Sequence, residues 1–252
     1  MTPEPLSETC PHAVARPVFR QSWRDLTMLH WPVDPELVAP LLPAGTTPDV
    51  LDGCTYVGLV PFVMAGVRVP GAAPLPWLSA FAETNVRLYA VDASGRRGVV
   101  FRSLEAARLL PVLVARGSYG LPYFWARMAV RHGPRTVAYE TSRRWPGPRG
   151  AGGLVRVEVG ERVAADEVAL FLTARWGLYS RFQNFPVQGG QSQGGRTVWA
   201  PVDHGPWPLH RARLLELRDD LVEAAGLAVH GSPHVLWSPG VDVRIGRPTR
   251  IA

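Results

Sequence analysis

The 252-residue sequence contains no lysine, and all 27 of its basic residues are arginine. Without a lysine, no side chain can form a Schiff base with a carbonyl substrate, because the N-terminus is the only primary amine. The same absence excludes a phosphate-binding loop that ends in Lys-Ser or Lys-Thr. Lysine-dependent imine chemistry and this class of nucleotide site are therefore excluded before any motif is considered.

Cysteine and long apolar runs are also scarce. Cys10 and Cys54 are isolated, with neither a CxxC motif nor the spacing of a zinc site, which favours two reduced thiols. The most apolar segment, Ala106–Ala115, contains Arg108 and Pro111 and is too short to cross a bilayer. The first residues lack the apolar run of a signal peptide. We therefore predict a cytoplasmic protein that does not associate with membranes.

The charge is strongly basic, with a net value of +6 and a pI near 10. Such values usually raise nucleic acid as a partner. Here the arginines are scattered, with adjacent pairs only at Arg96–Arg97 and Arg143–Arg144, and no nucleic-acid-binding motif accompanies them. Arginine in place of lysine, with abundant alanine, glycine and proline, is typical of a GC-rich genome. We predict no nucleic-acid partner.

The segment 81–92 carries the most informative pattern. Successive side chains of a strand point to opposite faces, so Glu83, Asn85 and Arg87 share one face, while small apolar residues occupy the other. The polar face is either the solvent-exposed side of an antiparallel sheet or the wall of a pocket. We favour the pocket because three other segments carry polar residues that could face it.

Two of these segments supply candidate catalytic groups. Tyr123 follows a Gly-Leu-Pro turn, and a phenol can act as a general acid or as a donor to a developing oxyanion. Arg24, in the predicted first strand, could hold a carboxylate through two parallel hydrogen bonds. The alternatives are plain aromatic packing for Tyr123 and a surface ion pair for Arg24.

Three further residues are candidates for substrate binding. His30 ends the first predicted strand, Arg175 follows a predicted helix, and His204 lies in a proline-rich turn. Arg175 could instead bind the carbonyls at its helix end, and His204 could simply be fixed in its turn. The histidine and acid spacing fits no metal motif, so we predict neither a metal nor another cofactor.

The rest of the chain predicts one α+β domain over residues 15–252, after a flexible tail over residues 1–14. Alternating and β-branched segments predict a large antiparallel sheet that closes on itself. Helices are predicted at 105–116, 166–176 and 214–225, and a final strand pair at 234–245. The loop 183–195 is a candidate lid, and it or an exposed strand edge could mediate a homo-oligomer.

The order of the motifs resembles the YqjF-like family of domains of unknown function, within the acetoacetate decarboxylase-like superfamily. The matching stretches are WRDLTMLHWPVDPELVAPLLP at 23–43, GCTYVGLVPF at 53–62, FAETNVRLY at 81–89, YGLPYFWAR at 119–127, FLTARWGLY at 171–179 and HGPWPL at 204–209. This resemblance implies a cone-like β-barrel with a central cavity and a few peripheral helices.

The resemblance also assigns roles to individual positions. Acetoacetate decarboxylases have an arginine on the first strand, where this chain has Arg24, and a glutamate on a middle strand, where it has Glu83. Their Schiff-base lysine follows a Gly-x-Pro turn, where this chain has Tyr123. A further acid of the decarboxylases should fall near 59–64, which contains none. The resemblance thus implies that lysine-dependent decarboxylation is lost and that the cavity retains an arginine, a glutamate and a tyrosine.

Three functions remain open from the sequence. The first is an enzyme of the lyase, isomerase or cyclase type that acts, without an imine, on a small carboxylate or an enolisable carbonyl compound. The second is a binding protein for a small organic metabolite. The third is a structural protein whose barrel is filled by its own side chains, which predicts no cavity of ligand size.

Overall fold

The computed structural model describes residues 2–71, 80–108, 121–182 and 196–251. The strands are β1 (Phe19–Val33), β2 (Thr46–Pro48), β3 (Thr55–Arg68), β4 (Phe81–Asp92), β5 (Arg97–Ala106), β6 (Tyr123–His132), β7 (Thr136–Trp145), β8 (Gly152–Arg162), β9 (Gly177–Phe182), β10 (Arg196–His204), β11 (His210–Asp219), β12 (His234–Ile245) and β13 (Thr249–Arg250). The helices are α1 (Pro35–Val38), followed by a 3₁₀ turn at Ala39–Leu41, α2 (Glu167–Thr173) and α3 (Leu221–Ala224).

Nine strands of the described residues close into a barrel in the order β5-β6-β7-β8-β11-β12-β1-β3-β4, because β4 pairs with β5 and joins the two ends. The pairing around the barrel is antiparallel except between β5 and β6. Its interior is a packed core that includes Leu29, Val57, Val86, Leu88 and Val157. The prediction of a mainly antiparallel sheet closed into a barrel with few helices is confirmed.

A second layer covers one side of this barrel. β5 pairs with β9 as well as β6, β12 pairs with β10 as well as β11, and β9 pairs with β10. These pairings place β9 and β10 over the outer face of β1, β3 and β4. β4 is consequently buried along most of its length, which explains why its polar residues lie in the interior.

Several predicted elements differ from the structure. The sequence 214–225, rich in leucine, alanine, glutamate and arginine, predicts a helix, but the chain forms β11 and only one turn of helix, α3. β11 pairs with both β8 and β12, so tertiary pairing overrides the local helix propensity. The predicted final strand pair is one continuous strand, β12.

The other two helix predictions had different outcomes. Glu105 and Ala106 end β5 rather than begin a helix, and 109–116 lies outside the described residues. The helix predicted at 166–176 is the shorter α2, whose first turn is capped by Asp166, which accepts a hydrogen bond of 2.7 Å from the Ala169 backbone nitrogen. The candidate lid at 183–195 lies outside the described residues.

Residues 2–14 form no helix or strand but lie against the barrel. The Glu4 backbone nitrogen donates to the Gly95 carbonyl at 2.9 Å, and the Trp176 indole donates to the Ser7 carbonyl at 3.1 Å. The segment that the sequence predicts as a loose tail therefore contacts Trp176, just before β9, and the turn after β4. No helix within the described parts of the chain is both long enough and apolar enough to cross a membrane.

Candidate functional site

A cavity of about 210 Å³ lies between the outer face of β1, β3 and β4 and the layer of β9 and β10. Its polar lining includes Glu83, Asn85, Arg87, Tyr123, Arg175 and His204. Its apolar lining includes Trp23, Phe62, Met64, Phe81, Phe101 and Trp207. Of the eight residues that the sequence predicted for the site, six line this cavity and two, Arg24 and His30, do not.

The wall of the cavity is built on β4. Glu83, Asn85 and Arg87 alternate along it and all face the cavity, as the two-residue period of a strand requires. On the neighbouring strand β3, Phe62 lies beside Glu83, Val60 beside Asn85 and Gly58 beside Arg87. The strand therefore presents an acid, an amide and a guanidinium in a row.

Glu83 and Tyr123 form a hydrogen-bonded pair. The Tyr123 hydroxyl donates to Glu83 Oε2 at 3.1 Å, and only 2% of Glu83 is exposed. Burial raises the pKa of Glu83 to about 8, with a smaller contribution from the charge of Glu105, although the hydrogen bond from Tyr123 lowers it. Burial and the neighbouring Glu83 raise the pKa of Tyr123 well above its ordinary value. At neutral pH the pair is therefore mostly protonated, and Glu83 is an available acid.

Arg87 and Asn85 have unfilled hydrogen-bonding capacity. Among the described residues, neither Arg87 Nε nor Asn85 Oδ1 has a hydrogen-bond partner, although both atoms are buried. None of the ion pairs within the described residues includes Arg87. Arg87 is half-buried with its Nε fully buried, and no carboxylate of the described residues pairs with it, so this position favours an anionic ligand.

Arg175 is held more firmly. Its Nε donates to the Phe171 carbonyl at 2.6 Å, its Nη1 is paired with the buried Asp49, and its guanidinium carbon lies 4.7 Å from the centre of the Tyr89 ring. Its Nη2 has no partner among the described residues. The hydrogen bond to the Phe171 carbonyl is the alternative role that the sequence suggested for Arg175. Arg175 makes this bond and also lines the cavity. Arg97, which also binds Asp49, shares that carboxylate with Arg175.

His204 lies among tryptophans. Its ring centre is 4.4 Å from that of Trp176 and 4.9 Å from that of Trp207. Its Nδ1 lies 2.7 Å from the Gly205 carbonyl oxygen, to which it donates. Burial lowers the pKa of His204 to about 4, so at neutral pH the ring is uncharged. It can therefore orient a ligand but adds no charge to the cavity.

Two of the candidate residues do not line the cavity. Arg24 is paired with Asp242 at 2.5 Å at the surface, and 41% of its side chain is exposed. Trp23 points into the cavity, so Arg24, the next residue of the strand, points away. His30 is completely buried behind the wall, where its Nε2 lies 2.6 Å from the Tyr89 hydroxyl. Arg24 therefore forms a surface ion pair, which was the alternative considered for it from the sequence.

Some residues of the site had no signal in the sequence. Trp207 and Phe62 are ordinary apolar residues there, and Asp49 lies between turn residues with no motif around it. Asp49 matters because it fixes Arg175, and only the fold brings these two residues together. Within the described residues, no group of three or more His, Cys, Asp or Glu side chains could hold a metal ion.

Comparison with solved structures supports the fold. The chain is similar to the enduracididine biosynthesis enzyme MppR, with a TM-score of 0.67 and 14% identity over 95% of this chain and 89% of that one. It is also similar to acetoacetate decarboxylase from Legionella pneumophila, with a TM-score of 0.66 and 16% identity over 100% and 92% of the two chains. An acetoacetate decarboxylase-like enzyme from Sphingomonas wittichii RW1 gives a TM-score of 0.66 and 14% identity over 96% of each chain. The acetoacetate decarboxylase-like fold that the resemblance implied is confirmed.

Comparison of sequences identifies the family. The chain is 27% identical over 220 residues to the uncharacterized protein YqjF of Bacillus subtilis strain 168, covering 87% of this chain and 86% of that protein. The model of the DUF2071 family, described as an uncharacterized conserved protein, matches residues 20–242. Because this match covers most of the sequence, the chain belongs to the DUF2071 family, as the resemblance of its motifs to YqjF-like domains had predicted.

Proposed function

We propose that this protein binds a small carboxylate with an enolisable carbonyl group and moves a proton on it without forming an imine. The observation that carries the proposal is that Arg87, whose Nε has no partner among the described residues, and the hydrogen-bonded Glu83–Tyr123 pair face one cavity. At about 210 Å³ the cavity is smaller than the pockets of about 300–1,000 Å³ that hold drug-sized ligands. A small ligand is therefore favoured.

Each polar group has a role in this proposal. Arg87 binds the carboxylate, the role that the sequence analysis had predicted for Arg24. Glu83 exchanges a proton with the ligand, as an acid when protonated and as a base when ionised. Tyr123 donates to the enolate oxygen as negative charge develops there. Asn85 and Arg175, which line the same cavity, orient the ligand.

The comparisons support this proposal at the level of the fold. MppR, an enzyme of the same fold, is known in complex with pyruvate, a small 2-oxo acid. Acetoacetate decarboxylase is a second enzyme on the same barrel. The present chain has no lysine, so turnover in its cavity cannot proceed through a lysine imine, and the proposal assigns it to the acid–base groups Glu83 and Tyr123.

The proposal is tested by proton exchange on a simple probe. Pyruvate in D₂O with the wild-type protein should incorporate deuterium into its methyl group faster than pyruvate alone, measured by proton NMR. Glu83→Gln removes the acid–base group but keeps a side chain of similar shape, so exchange should fall by roughly a hundredfold or more while pyruvate still binds.

Binding is tested separately with a matched pair of arginine variants. Arg87→Met should weaken pyruvate affinity, measured by calorimetry, by about tenfold or more, since a charge-assisted hydrogen bond is lost. Arg24→Met, on the surface, should leave it unchanged. If binding depends on Arg87 but no exchange is catalysed, the function is that of a non-catalytic binding protein. If Arg24→Met rather than Arg87→Met abolishes binding, the proposed site is wrong.

A further inference from the structure

The cavity changes from polar to apolar along β4. Arg87 lies beside Gly58, Glu83 beside Phe62, and Phe81 beside Met64. With a rise of about 3.3 Å per residue, roughly 20 Å of strand separates the Cα atoms of Arg87 and Phe81. A ligand whose carboxylate contacts Arg87 therefore extends past Glu83 toward a region with no charged side chain among its described residues.

That far region is built from large apolar side chains. Phe62, Met64 and Phe81 belong to one buried cluster, against which Trp23 and Trp207 pack. The Trp23 ring lies edge-on to Phe62, with centres 6.1 Å apart, and Trp207 is stacked nearly parallel to Trp23 at 6.1 Å. Such a surface binds flat or branched hydrocarbon and has few groups for a second anion.

The described charged groups around the cavity leave one positive charge unbalanced, which fits a ligand with a single negative charge. Arg175 is balanced by Asp49, and Glu83 and His204 are neutral at pH 7. Arg97, which shares Asp49, lies against Glu4, whose carboxylate accepts from the Arg97 backbone nitrogen at 2.9 Å. Of the described groups, this leaves the positive charge of Arg87 to be balanced by the ligand.

Trp207 separates this cavity from a second one. An outer cavity of about 400 Å³ shares Thr173 and Trp207 with the inner cavity, and its walls also include Trp176 and Leu209. The Trp207 indole donates to the Thr173 carbonyl at 3.0 Å, which fixes the ring in the partition. Removing this side chain would join the two spaces.

We infer that the ligand is a monocarboxylate with an apolar body, aromatic or branched, and that Trp207 limits the length of that body. The inference rests on the proposed function and specifies its substrate class. The carboxylate binds Arg87, the carbonyl group lies between Asn85 and Glu83, and the apolar body contacts Phe62, Phe81 and Trp23.

A ligand series on the wild-type protein tests the apolar body. Calorimetry would compare pyruvate, 2-oxobutyrate, 4-methyl-2-oxopentanoate and phenylpyruvate, with 2-oxoglutarate as a dianion. Affinity should increase about threefold to fourfold for each buried CH₂, and phenylpyruvate should bind far more tightly than pyruvate. The dianion should bind more weakly than 4-methyl-2-oxopentanoate. Equal affinities for pyruvate and phenylpyruvate, or a preference for the dianion, would overturn the inference but leave the proposed function intact.

A pair of tryptophan variants tests the length limit. Trp207→Ala should shift the preference toward 2-oxo acids with longer alkyl chains, measured as the ratio of their affinities to that of pyruvate, by about tenfold relative to wild type. Trp145→Ala, at an exposed position, should leave the series unchanged. An unaltered length preference in a folded Trp207→Ala protein would contradict the role of Trp207. If no acid of the series binds in an Arg87-dependent way, the proposed function fails as well.

Discussion

At the scale of single residues, the chemistry of the site depends on where burial leaves the protons. Glu83 receives a hydrogen bond from Tyr123, which by itself would favour the ionised carboxylate. Burial outweighs this bond, because none of the described cations is paired with the carboxylate and the nearby Glu105 adds repulsion. Glu83 therefore titrates near physiological pH, where a group exchanges protons with a substrate most efficiently.

The same shift predicts how stability depends on pH. The folded pKa of Glu83, about 8, lies above its ordinary value of 4.5, so between these values the folded state binds more protons than the unfolded state. The free energy of unfolding should therefore fall as pH rises from about 4.5 to about 8, by up to several kcal/mol. Glu83→Gln should remove this contribution.

The measurement is denaturant unfolding of wild type and Glu83→Gln at pH 5 and pH 8.5. The difference in stability between the two proteins should move in favour of the variant at the higher pH, while the slopes of the transitions stay the same. Taking the difference cancels the titrating groups that do not interact with Glu83. A difference that does not change with pH would show that folding does not raise the pKa of Glu83.

At the scale of elements, the sequence predicts strands better than it predicts what they face. The alternation of 81–92 correctly predicts that Glu83, Asn85 and Arg87 share one face of β4, and this face is buried because β9 and β10 cover it. That covering involves β5 and β12, which are far from β9 and β10 in the sequence. Nothing local to 81–92 distinguishes a covered face from a solvent-exposed one.

The position of Arg24 shows the same limit. Its match to a decarboxylase arginine made it a candidate, but strand alternation places Trp23 in the cavity and Arg24 at the surface. Asp25, the next residue, has a φ of +49°, and the register between β1 and β3 shifts after Arg24. Such an irregularity reverses which residues face inward, since Leu26 again lines the cavity, and it cannot be located from the pattern alone.

The close approach of β3 to β4 predicts a sensitive position at Gly58. A Cβ atom there would lie 2.9 Å from His30 Cδ2 and 3.1 Å from Arg87 Cγ. The His30 ring is completely buried and bonded to Tyr89, so it cannot move away easily. Gly58→Ala should destabilise the protein by about 1–3 kcal/mol and weaken pyruvate binding by displacing Arg87.

Thermal unfolding and calorimetry measure the two effects of Gly58→Ala. Gly205→Ala is the matched control, because an added Cβ at Gly205 meets no atom within 4 Å. A Gly58→Ala protein as stable as the Gly205→Ala protein, with unchanged affinity, would show that β3 and β4 are less closely packed around Arg87 than the structure describes.

At the scale of the whole molecule, one sheet encloses two different spaces. The nine-strand barrel is filled by its own side chains, and the space beneath β9 and β10 contains the cavity. The third function considered from the sequence, a barrel without room for a ligand, describes the first space but not the second. β4 forms a wall of both, so its apolar face stabilises the fold while its polar face lines the cavity.

The filled barrel nevertheless contains a buried ion pair, which predicts where the fold is most sensitive to a single charge. Arg143 on β7 binds Glu105 on β5, with Nε at 3.1 Å, and both side chains are almost completely buried. Arg143→Met leaves the carboxyl unpaired and should destabilise the protein by about 3–5 kcal/mol. The loss should be larger at pH 9 than at pH 6, because Glu105, whose pKa burial already raises to about 7, can remain protonated only at the lower pH.

Two further variants separate the charge from the packing in this prediction. Arg143→Met combined with Glu105→Gln removes both charges, so it should recover part of the lost stability and lose the pH dependence, since the uncompensated carboxylate causes both. Arg213→Met breaks the exposed ion pair with Glu158. It should change neither the stability nor its pH dependence, because solvent screens that pair. Denaturant unfolding at the two pH values measures all three proteins. Equal destabilisation by Arg143→Met at pH 6 and pH 9 would mean that packing of Arg143 against Phe124, whose ring centre lies 3.7 Å from the guanidinium carbon, stabilises the barrel more than the ion pair does.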